Sequence, residues 1–154
     1  MLIQLRSEPL TVSDDFKTLG LTLRHRPLKY IENDFENLGA IVSDHTTGLM
    51  WQKSGSDRRL NYKKAVTYVR QLNQEDFAGF NDWRLPTIEE LTSLLEPIES
   101  QNGHHISLFF DEKQWWCWSA DKHTSVSAWN VDFDGGLALW SYLNGFFYVR
   151  VCRS

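Results

Sequence analysis

Histidine is the side chain in this sequence best suited to bind a metal ion or to move a proton near neutral pH. Of the five histidines, His104 and His105 are adjacent, so in an extended segment their rings point to opposite sides and make a poor chelate. No histidines have the i, i+4 spacing of a helical metal site, and no Cys-x-x-Cys pair occurs. The sequence therefore favours loop histidines in water over a histidine-based metal centre, and it predicts no cofactor.

Oxygen-bearing side chains offer a second route to a metal site. Asn130, Asp132 and Asp134 alternate along a predicted strand and carry the oxygen ligands that Ca²⁺ prefers. Alternating polar residues are also typical of a strand face that is simply solvated. We interpret these residues as a solvated face and keep a calcium site as the alternative.

The candidate nucleophiles are Cys117 and Cys152. Cys117 lies in the run Trp115-Trp116-Cys117-Trp118, where burial raises a thiol pKa and makes the thiol unreactive. Buried reduced thiols are the preferred interpretation, because free cysteine is among the most buried residue types, and a redox or copper-binding pair is the alternative. The sequence contains no Gly-x-Ser-x-Gly elbow and no glycine-rich phosphate loop. It predicts no catalytic residue.

Aromatic residues near the Asn144-Gly145 turn indicate a binding surface. Full burial of Trp140, Tyr142, Phe146 and Phe147 around one tight turn is difficult, and exposed aromatics beside polar groups are typical of recognition surfaces. The alternative is that these side chains belong to an extended hydrophobic core. The predicted ligand-binding residues are Asp121, His123, Asn130, Asp132, Leu139, Trp140, Ser141, Tyr142, Asn144 and Phe146.

Composition and charge narrow the class of protein and of partner. The chain has 154 residues, a length typical of one domain, and its 14% aromatic content argues against disorder. The net charge of −4 disfavours a nucleic-acid partner. No apolar run reaches about 18 residues, so we expect no membrane partner. Residues 1–9 lack the features of a secretory signal, so we expect a cytoplasmic protein or part of a larger multidomain chain.

Two helices are predicted to support these residues. Asn61 caps the first helix, over about 62–73, and Thr87 and Glu90 form a capping box at the start of the second. The apolar stripe of the first helix comprises Ala65, Val66, Val69 and Leu72. The stripe of the second comprises Ile88, Leu91, Leu94 and Leu95.

Strands are predicted at 40–44 and 49–52 as a hairpin, and a meander follows near the end of the chain. Its three strands are 125–133, 136–143 and 146–152, joined by Asp-Gly and Asn-Gly turns that suit two-residue hairpins. In this register Trp140 opposes both Trp129 and Val149. The predicted core face carries Trp129, Val131, Phe133, Ala138, Trp140, Tyr142, Phe147, Val149 and Val151. The predicted outer face carries Asn130, Asp132, Leu137, Leu139, Ser141, Leu143, Phe146, Tyr148, Arg150 and Cys152.

The first part of the chain carries weaker signals. Residues 2–6 alternate like a short strand, and Ser13 can cap a brief helix that ends at Gly20. We therefore predict an N-terminal arm or linker over residues 1–39 and a domain over residues 40–154.

Several ordered segments of the sequence resemble one known family, the Lcl C-terminal-like domain. The resemblance covers about residues 40–153. The matching segments are 42–52, 82–91, 118–119, 128–133, 135–136 and 148–153. It implies an α+β, C-type-lectin-like fold in which two helices flank a twisted antiparallel sheet, in agreement with the helices and the C-terminal three-stranded meander predicted above.

The resemblance also implies a function. Such domains are mostly non-catalytic, so we expect a module that binds a protein or glycan ligand on its C-terminal strands. Related lectin-like domains serve as variable proteins of diversity-generating retroelements, and residues 137–147 are more apolar here than is usual in the family. The alternative is a metal-dependent oxidase related to formylglycine-generating or sulfoxide-forming lectin-like enzymes, which need an active cysteine pair or a histidine cluster.

Overall fold

Seven β-strands and two α-helices form the fold, which a computed structural model describes over residues 1–154. The elements are β1 Phe35–Asn37, β2 Ile41–Asp44, β3 Met50–Gln52, α1 Tyr62–Gln74, α2 Ile88–Thr92, β4 Trp116–Thr124, β5 Ser127–Asp132, β6 Leu137–Tyr142 and β7 Cys152–Arg153. The α+β class predicted from the sequence is confirmed. Neither helix combines the length and the apolar character that crossing a bilayer requires.

The strands form two antiparallel sheets rather than one. The first has the order β1-β2-β3-β7 and contains the predicted hairpin at its centre, and the second has the order β4-β5-β6. A single hydrophobic cluster joins Val42 and Trp51 of the first sheet to Trp129 and Val131 of the second. All four side chains are fully buried, so the core lies between the sheets.

Helix α1 begins where the sequence predicts. The side chain of Asn61 accepts a hydrogen bond from the Lys64 N–H at 2.9 Å, which satisfies one of the unpaired donors at the helix start. Ala65 and Leu72 are buried, as predicted for the apolar stripe, whereas Val66 is exposed. The buried stripe of α1 is therefore narrower than the periodicity indicates.

Helix α2 is a single short turn held by its predicted capping box. The Thr87 hydroxyl accepts from the Glu90 N–H at 3.2 Å, and the Glu90 carboxylate accepts from the Thr87 N–H at 3.0 Å. The helix ends at Thr92. Leu94 and Leu95 are buried as predicted, but they follow the helix instead of belonging to it.

A buried ion pair fixes the turn before α2. Arg84 donates two hydrogen bonds to the Glu90 carboxylate, at 2.6 and 2.7 Å, and Glu90 is almost fully enclosed. This bidentate contact raises the pKa of Arg84. The backbones of Arg84 and Cys152 also exchange two hydrogen bonds of 3.0 Å, so the same turn holds the start of β7.

The C-terminal meander forms only in part as predicted. Trp129 lies opposite Trp140 in the β5–β6 pair, which confirms that register. Residues 146–152, however, do not pair with β6. The Tyr148 N–H bonds to the Trp116 carbonyl of β4 at 2.9 Å, and β7 pairs with β3 in the other sheet. The three strands of the observed meander are therefore β4, β5 and β6.

The turn and the core explain this difference. Neither Asn144 nor Gly145 has a positive φ, so their turn is not the primed type that a two-residue hairpin needs. The chain instead passes into the core, where residues 149–152 are fully buried. The prediction that Arg150 and Cys152 face outward is therefore wrong.

The N-terminal residues pack along the rest of the fold. Leu19 and Leu21 are buried in the main core, and the Val12 N–H bonds to the Lys122 carbonyl at the outer edge of β4 at 2.9 Å. Apart from β1, residues 1–39 contain neither the short strand nor the brief helix predicted for them. They run as turns and isolated bridges over the second sheet and α2.

Arg150 is a fully buried cation whose hydrogen-bond acceptors are backbone carbonyls. Its guanidinium donates to the carbonyls of Gln52 at 3.1 Å, of Asp111 at 3.0 Å and of Lys53. It also lies over the Phe110 ring, 5.0 Å from the ring centroid. Burial lowers the pKa of Arg150, because the charge is removed from water. The side chain thus ties two loops to the C-terminal segment.

Replacing Arg150 by Met should lower the free energy of unfolding by about 3 kcal/mol, because three buried carbonyls lose their donor. Urea denaturation followed by tryptophan fluorescence measures this loss. Arg59→Met is the matched control, since Arg59 is exposed and its substitution should change stability by less than about 0.5 kcal/mol. Equal stability of the two variants would contradict the role given to Arg150.

Candidate ligand-binding surface

Trp140 contacts two other aromatic side chains of the second sheet. The His123 ring lies parallel to the Trp140 ring, with centroids 4.2 Å apart and an angle of 4° between the planes. Tyr142 meets Trp140 edge to face at 5.6 Å. A 3.0 Å hydrogen bond between His123 Nδ1 and the Ser127 hydroxyl orients the imidazole. We name His123, Trp140 and Tyr142 the aromatic patch.

The aromatic patch is open to solvent. Burial falls along β6, from Ala138, which is fully buried, to Trp140 at 39% exposed and Tyr142 at 60% exposed. The prediction that Trp140 and Tyr142 are core residues is therefore wrong, although the predicted pairing of β5 with β6 is observed. The reason is that the core ends partway along β6, so residues on one face of the strand pass from the core into water.

The ten predicted ligand-binding residues do not form one surface. Because alternate strand residues point to opposite faces, Leu139 and Ser141 lie on the other side of the sheet from the aromatic patch. On that side Asn130 is fully buried. Its amide oxygen accepts from the Trp116 indole at 2.6 Å, and its amide nitrogen donates to the Ser141 hydroxyl at 3.1 Å. The prediction of Asn130 as a ligand contact is wrong, because both ends of its amide are used inside the protein.

Asp121 lies inside the fold instead of on the predicted ligand-binding surface. Its carboxylate is fully buried and accepts two hydrogen bonds from the Arg6 guanidinium, at 2.9 and 2.8 Å. It also accepts from the backbone N–H groups of Leu10 and Ile88, each at 2.7 Å. A ligand has no access to a carboxylate enclosed in this way, so this prediction is also wrong.

The oxygen ligands considered for calcium are not assembled. The Asp132 carboxylate accepts from the N–H groups of Asp134 at 2.9 Å and Gly135 at 3.1 Å, which shapes the β5–β6 turn. The Asn130 amide oxygen is bonded to an indole, as described above. No three His, Cys, Asp or Glu side chains come together in an arrangement that could hold a metal ion. Asp132 therefore acts in the turn.

The turn after β6 extends the exposed apolar surface. Phe146 is 55% exposed and Asn144 is also exposed. A shallow hollow beside them is lined by Val126, Tyr142, Leu143 and Asn144. Val126 is largely exposed and is not among the predicted site residues, although an apolar residue within the polar segment 121–127 is a signal that could have identified it.

The largest cavity lies away from the aromatic patch. A groove of about 610 Å³ separates α1 from the N-terminal arm. Two of its polar side chains are engaged within the protein: Asn73 bonds to the Trp83 backbone, and Arg84 bonds to Glu90. We place the candidate site on the aromatic patch instead, because exposed aromatic rings in mutual contact are typical of recognition surfaces.

Both cysteines are buried and reduced, as the preferred interpretation predicts. Burial raises the pKa of Cys117 to about 11 and also raises the pKa of Cys152. The two thiols have separate partners: Cys117 donates to the Gln114 carbonyl at 3.3 Å, and Cys152 lies 4.0 Å from the Glu90 carboxylate. Neither forms a thiolate near neutral pH, so neither is activated as a nucleophile.

Comparison with known families agrees with the resemblance seen in the sequence. The family model for the Lcl C-terminal domain matches residues 40–153, and the chain therefore belongs to this family. No curated protein and no solved structure matches the chain.

Asp121→Ala should lower the free energy of unfolding by about 3 kcal/mol or more, because the Arg6 charge and two backbone donors lose their partner. Thermal and urea unfolding of the variant measure this effect. Asp14→Ala, at an exposed carboxylate of the same arm, should leave stability within about 0.5 kcal/mol of wild type. A stable Asp121→Ala protein with altered ligand binding would instead return Asp121 to the binding site.

Proposed function

We propose that this domain is a non-catalytic module that binds a protein or glycan ligand on the aromatic patch and the adjoining turn. The observation that carries the proposal is the placement of Trp140. It is the only exposed residue among the seven tryptophans, and it is held flat against His123 at 4.2 Å. Membership of the Lcl C-terminal domain family supports this binding role and a C-type-lectin-like arrangement of the sheets.

The chemistry of the aromatic patch suits recognition. Aromatic rings supply a large contact area with few rotatable bonds, and a ring already stacked on a neighbour loses little freedom when a ligand arrives. Tyr142 adds a hydroxyl group, and His123 adds a ring nitrogen that can donate or accept. Asn144 and Phe146 bring one polar and one apolar group beside them.

The frame behind the patch supports pre-organisation. Trp129, directly opposite Trp140, is fully buried, and its indole N–H donates to the Val12 carbonyl at 2.8 Å. The adjoining Ala138 is also fully buried. A ligand would therefore meet side chains attached to a rigid strand, which lowers the entropic cost of binding.

The state of the cysteines supports a binding role over the oxidase alternative. Copper-dependent lectin-like oxidases need an active cysteine pair, whereas Cys117 and Cys152 are buried with raised pKa values and separate partners. Iron-dependent relatives need a histidine cluster, and His104 and His105 contact different carboxylates, Asp134 at 3.5 Å and Glu99 at 3.9 Å. The net charge of −4 likewise favours a protein or glycan over nucleic acid.

The exposure pattern suits a diversified surface as well. Positions 140, 142, 144 and 146 are exposed, and the residues between them are at most half exposed. Substitutions at these four positions would alter the ligand surface with little effect on the core. We propose that this segment is where a variable protein of a diversity-generating retroelement would change its residues.

Purified protein should contain no stoichiometric copper or iron, because the proposed function needs neither. Elemental analysis of protein expressed in metal-supplemented medium measures the content. One equivalent of either metal, lost on mutation of Cys117 or of His104, would contradict the binding proposal and favour the oxidase.

The double substitution Tyr142→Ala and Phe146→Ala should weaken ligand binding at least tenfold, because truncating exposed aromatic anchors removes contact area. Ligands are selected with wild-type protein from an immobilised glycan panel and from a displayed peptide library. The melting temperature should stay within about 2 °C of wild type, since both side chains are exposed.

The matched control is Ile98→Ala with Leu108→Ala, two exposed apolar residues outside the aromatic patch, which should leave binding unchanged. Equal binding by both double variants would show that the ligand sits elsewhere. Unfolding of the Tyr142→Ala, Phe146→Ala protein would show that these residues stabilise the core.

A further inference from the structure

The free edge of β6 carries backbone groups without a partner. β6 is the last strand of the β4-β5-β6 sheet. The Ala138 N–H points outward, away from β5, and donates to a carbonyl of the N-terminal arm at 2.9 Å. The Leu143 N–H points inward, towards the β5 side, and donates to the Val126 carbonyl at 2.9 Å. Because these directions alternate along a strand, the N–H groups of Trp140 and Tyr142 also point outward. Neither of them, nor the Trp140 carbonyl, is bonded within the chain.

This edge lacks the features that protect exposed strands from pairing. β6 contains no proline, its register with β5 is free of a bulge, and residues 137–149 include no charged side chain. The opposite edge of the same sheet is already covered, because the arm bonds to Lys122 of β4. An uncharged, regular edge strand is a ready template for another strand.

We propose that β6 pairs with β6 of a second copy of this chain, antiparallel, about a two-fold axis that passes beside Ser141. In this register Trp140 exchanges both backbone hydrogen bonds with Tyr142 of the partner subunit, and Tyr142 does the same with Trp140 of the partner subunit. The four bonds use every free outward group. The Tyr142 carbonyl already accepts from Gly145 at 2.9 Å and has a second lone pair for the new bond.

A second copy fits this edge because the edge is complementary to itself. The free groups are spaced symmetrically about Ser141, as an isologous interface requires. Two molecules that each carry a net charge of −4 can approach here, since the whole 137–149 segment is uncharged. Each Trp140 would also face a tyrosine across the new pair, and aromatic cross-strand pairs stabilise antiparallel strands. The arm limits pairing at Ala138, so the interface is small and the dimer weak.

Edge pairing joins the two aromatic patches into one surface. Trp140 and Tyr142 project from the face of the sheet, whereas the pairing uses its edge, so the side chains stay open to a ligand. The two patches then lie side by side across a continuous six-stranded sheet. That the joined surface binds a larger or repeated ligand rests on the proposed function, but the dimer itself does not.

Sedimentation equilibrium of the wild-type protein should show a mass that rises from 18.0 kDa towards twice that value between about 1 µM and 1 mM, the range expected for a small interface. Ser141→Lys places two like charges across the axis and should keep the protein monomeric, and Ser141→Glu should do the same. An equimolar mixture of the two variants should restore a 1:1 heterodimer, because the charges then attract.

Trp140→Pro removes one outward N–H without breaking the β5–β6 ladder, and it should abolish the dimer, whereas Trp140→Thr keeps the N–H and should retain part of it. A wild-type mass that stays at 18.0 kDa up to 1 mM would overturn the proposal. So would a wild-type dimer whose charged variants fail to recombine, or a Trp140→Pro protein that dimerises as wild type does. A monomer that binds ligand through the aromatic patch would overturn the dimer and leave the proposed function standing. A dimer that binds no ligand would support the edge pairing and contradict the proposed function.

Discussion

The packing of the whole domain is organised around the buried carboxylate of Asp121. It lies on β4 and accepts hydrogen bonds from the Arg6 guanidinium and from the backbones of Leu10 and Ile88. One side chain thus joins the N-terminal arm, helix α2 and the second sheet. An ionised carboxylate without partners is too costly to bury, so β4 reaches its place only when the arm and α2 are in theirs.

The position of β4 in turn determines where the aromatic patch lies. β4 pairs with β5 and β5 pairs with β6, and the buried Trp129 lies directly opposite Trp140. His123, which also lies on β4, stacks on Trp140 across the intervening strand β5. Behind this sheet, Arg150 fixes the C-terminal segment in the core by its bonds to three carbonyls. The exposed rings are therefore the outer end of a rigid, fully packed frame.

Local features of this fold were predictable from the sequence, and long-range ones were not. The capping box of Thr87 and Glu90 spans three residues, so it is visible in the sequence alone. The Trp129–Trp140 register is also local, because the two strands are consecutive. By contrast, Asp121 meets an arginine 115 positions away, and no periodicity indicates that partner. The sequence instead predicts Asp121 as a ligand contact.

The C-terminal segment and the binding surface likewise depend on long-range packing that local sequence does not indicate. Residues 146–152 alternate like an edge strand of the meander, but the burial of residues 149–152 depends on the whole core. Alternation along β6 identified which residues share a face, but it could not show that the core ends before Tyr142. That end of the core is what turns two predicted core aromatics into an exposed surface.

A ligand on the aromatic patch should leave the frame beneath it unchanged, and NMR mapping of a selected ligand on isotopically labelled protein measures both. We expect chemical-shift changes to concentrate on His123, Tyr142 and the Trp140 indole, with the indole signals of the buried tryptophans unmoved. Changes centred on the groove between α1 and the N-terminal arm would instead show that the ligand binds outside the aromatic patch.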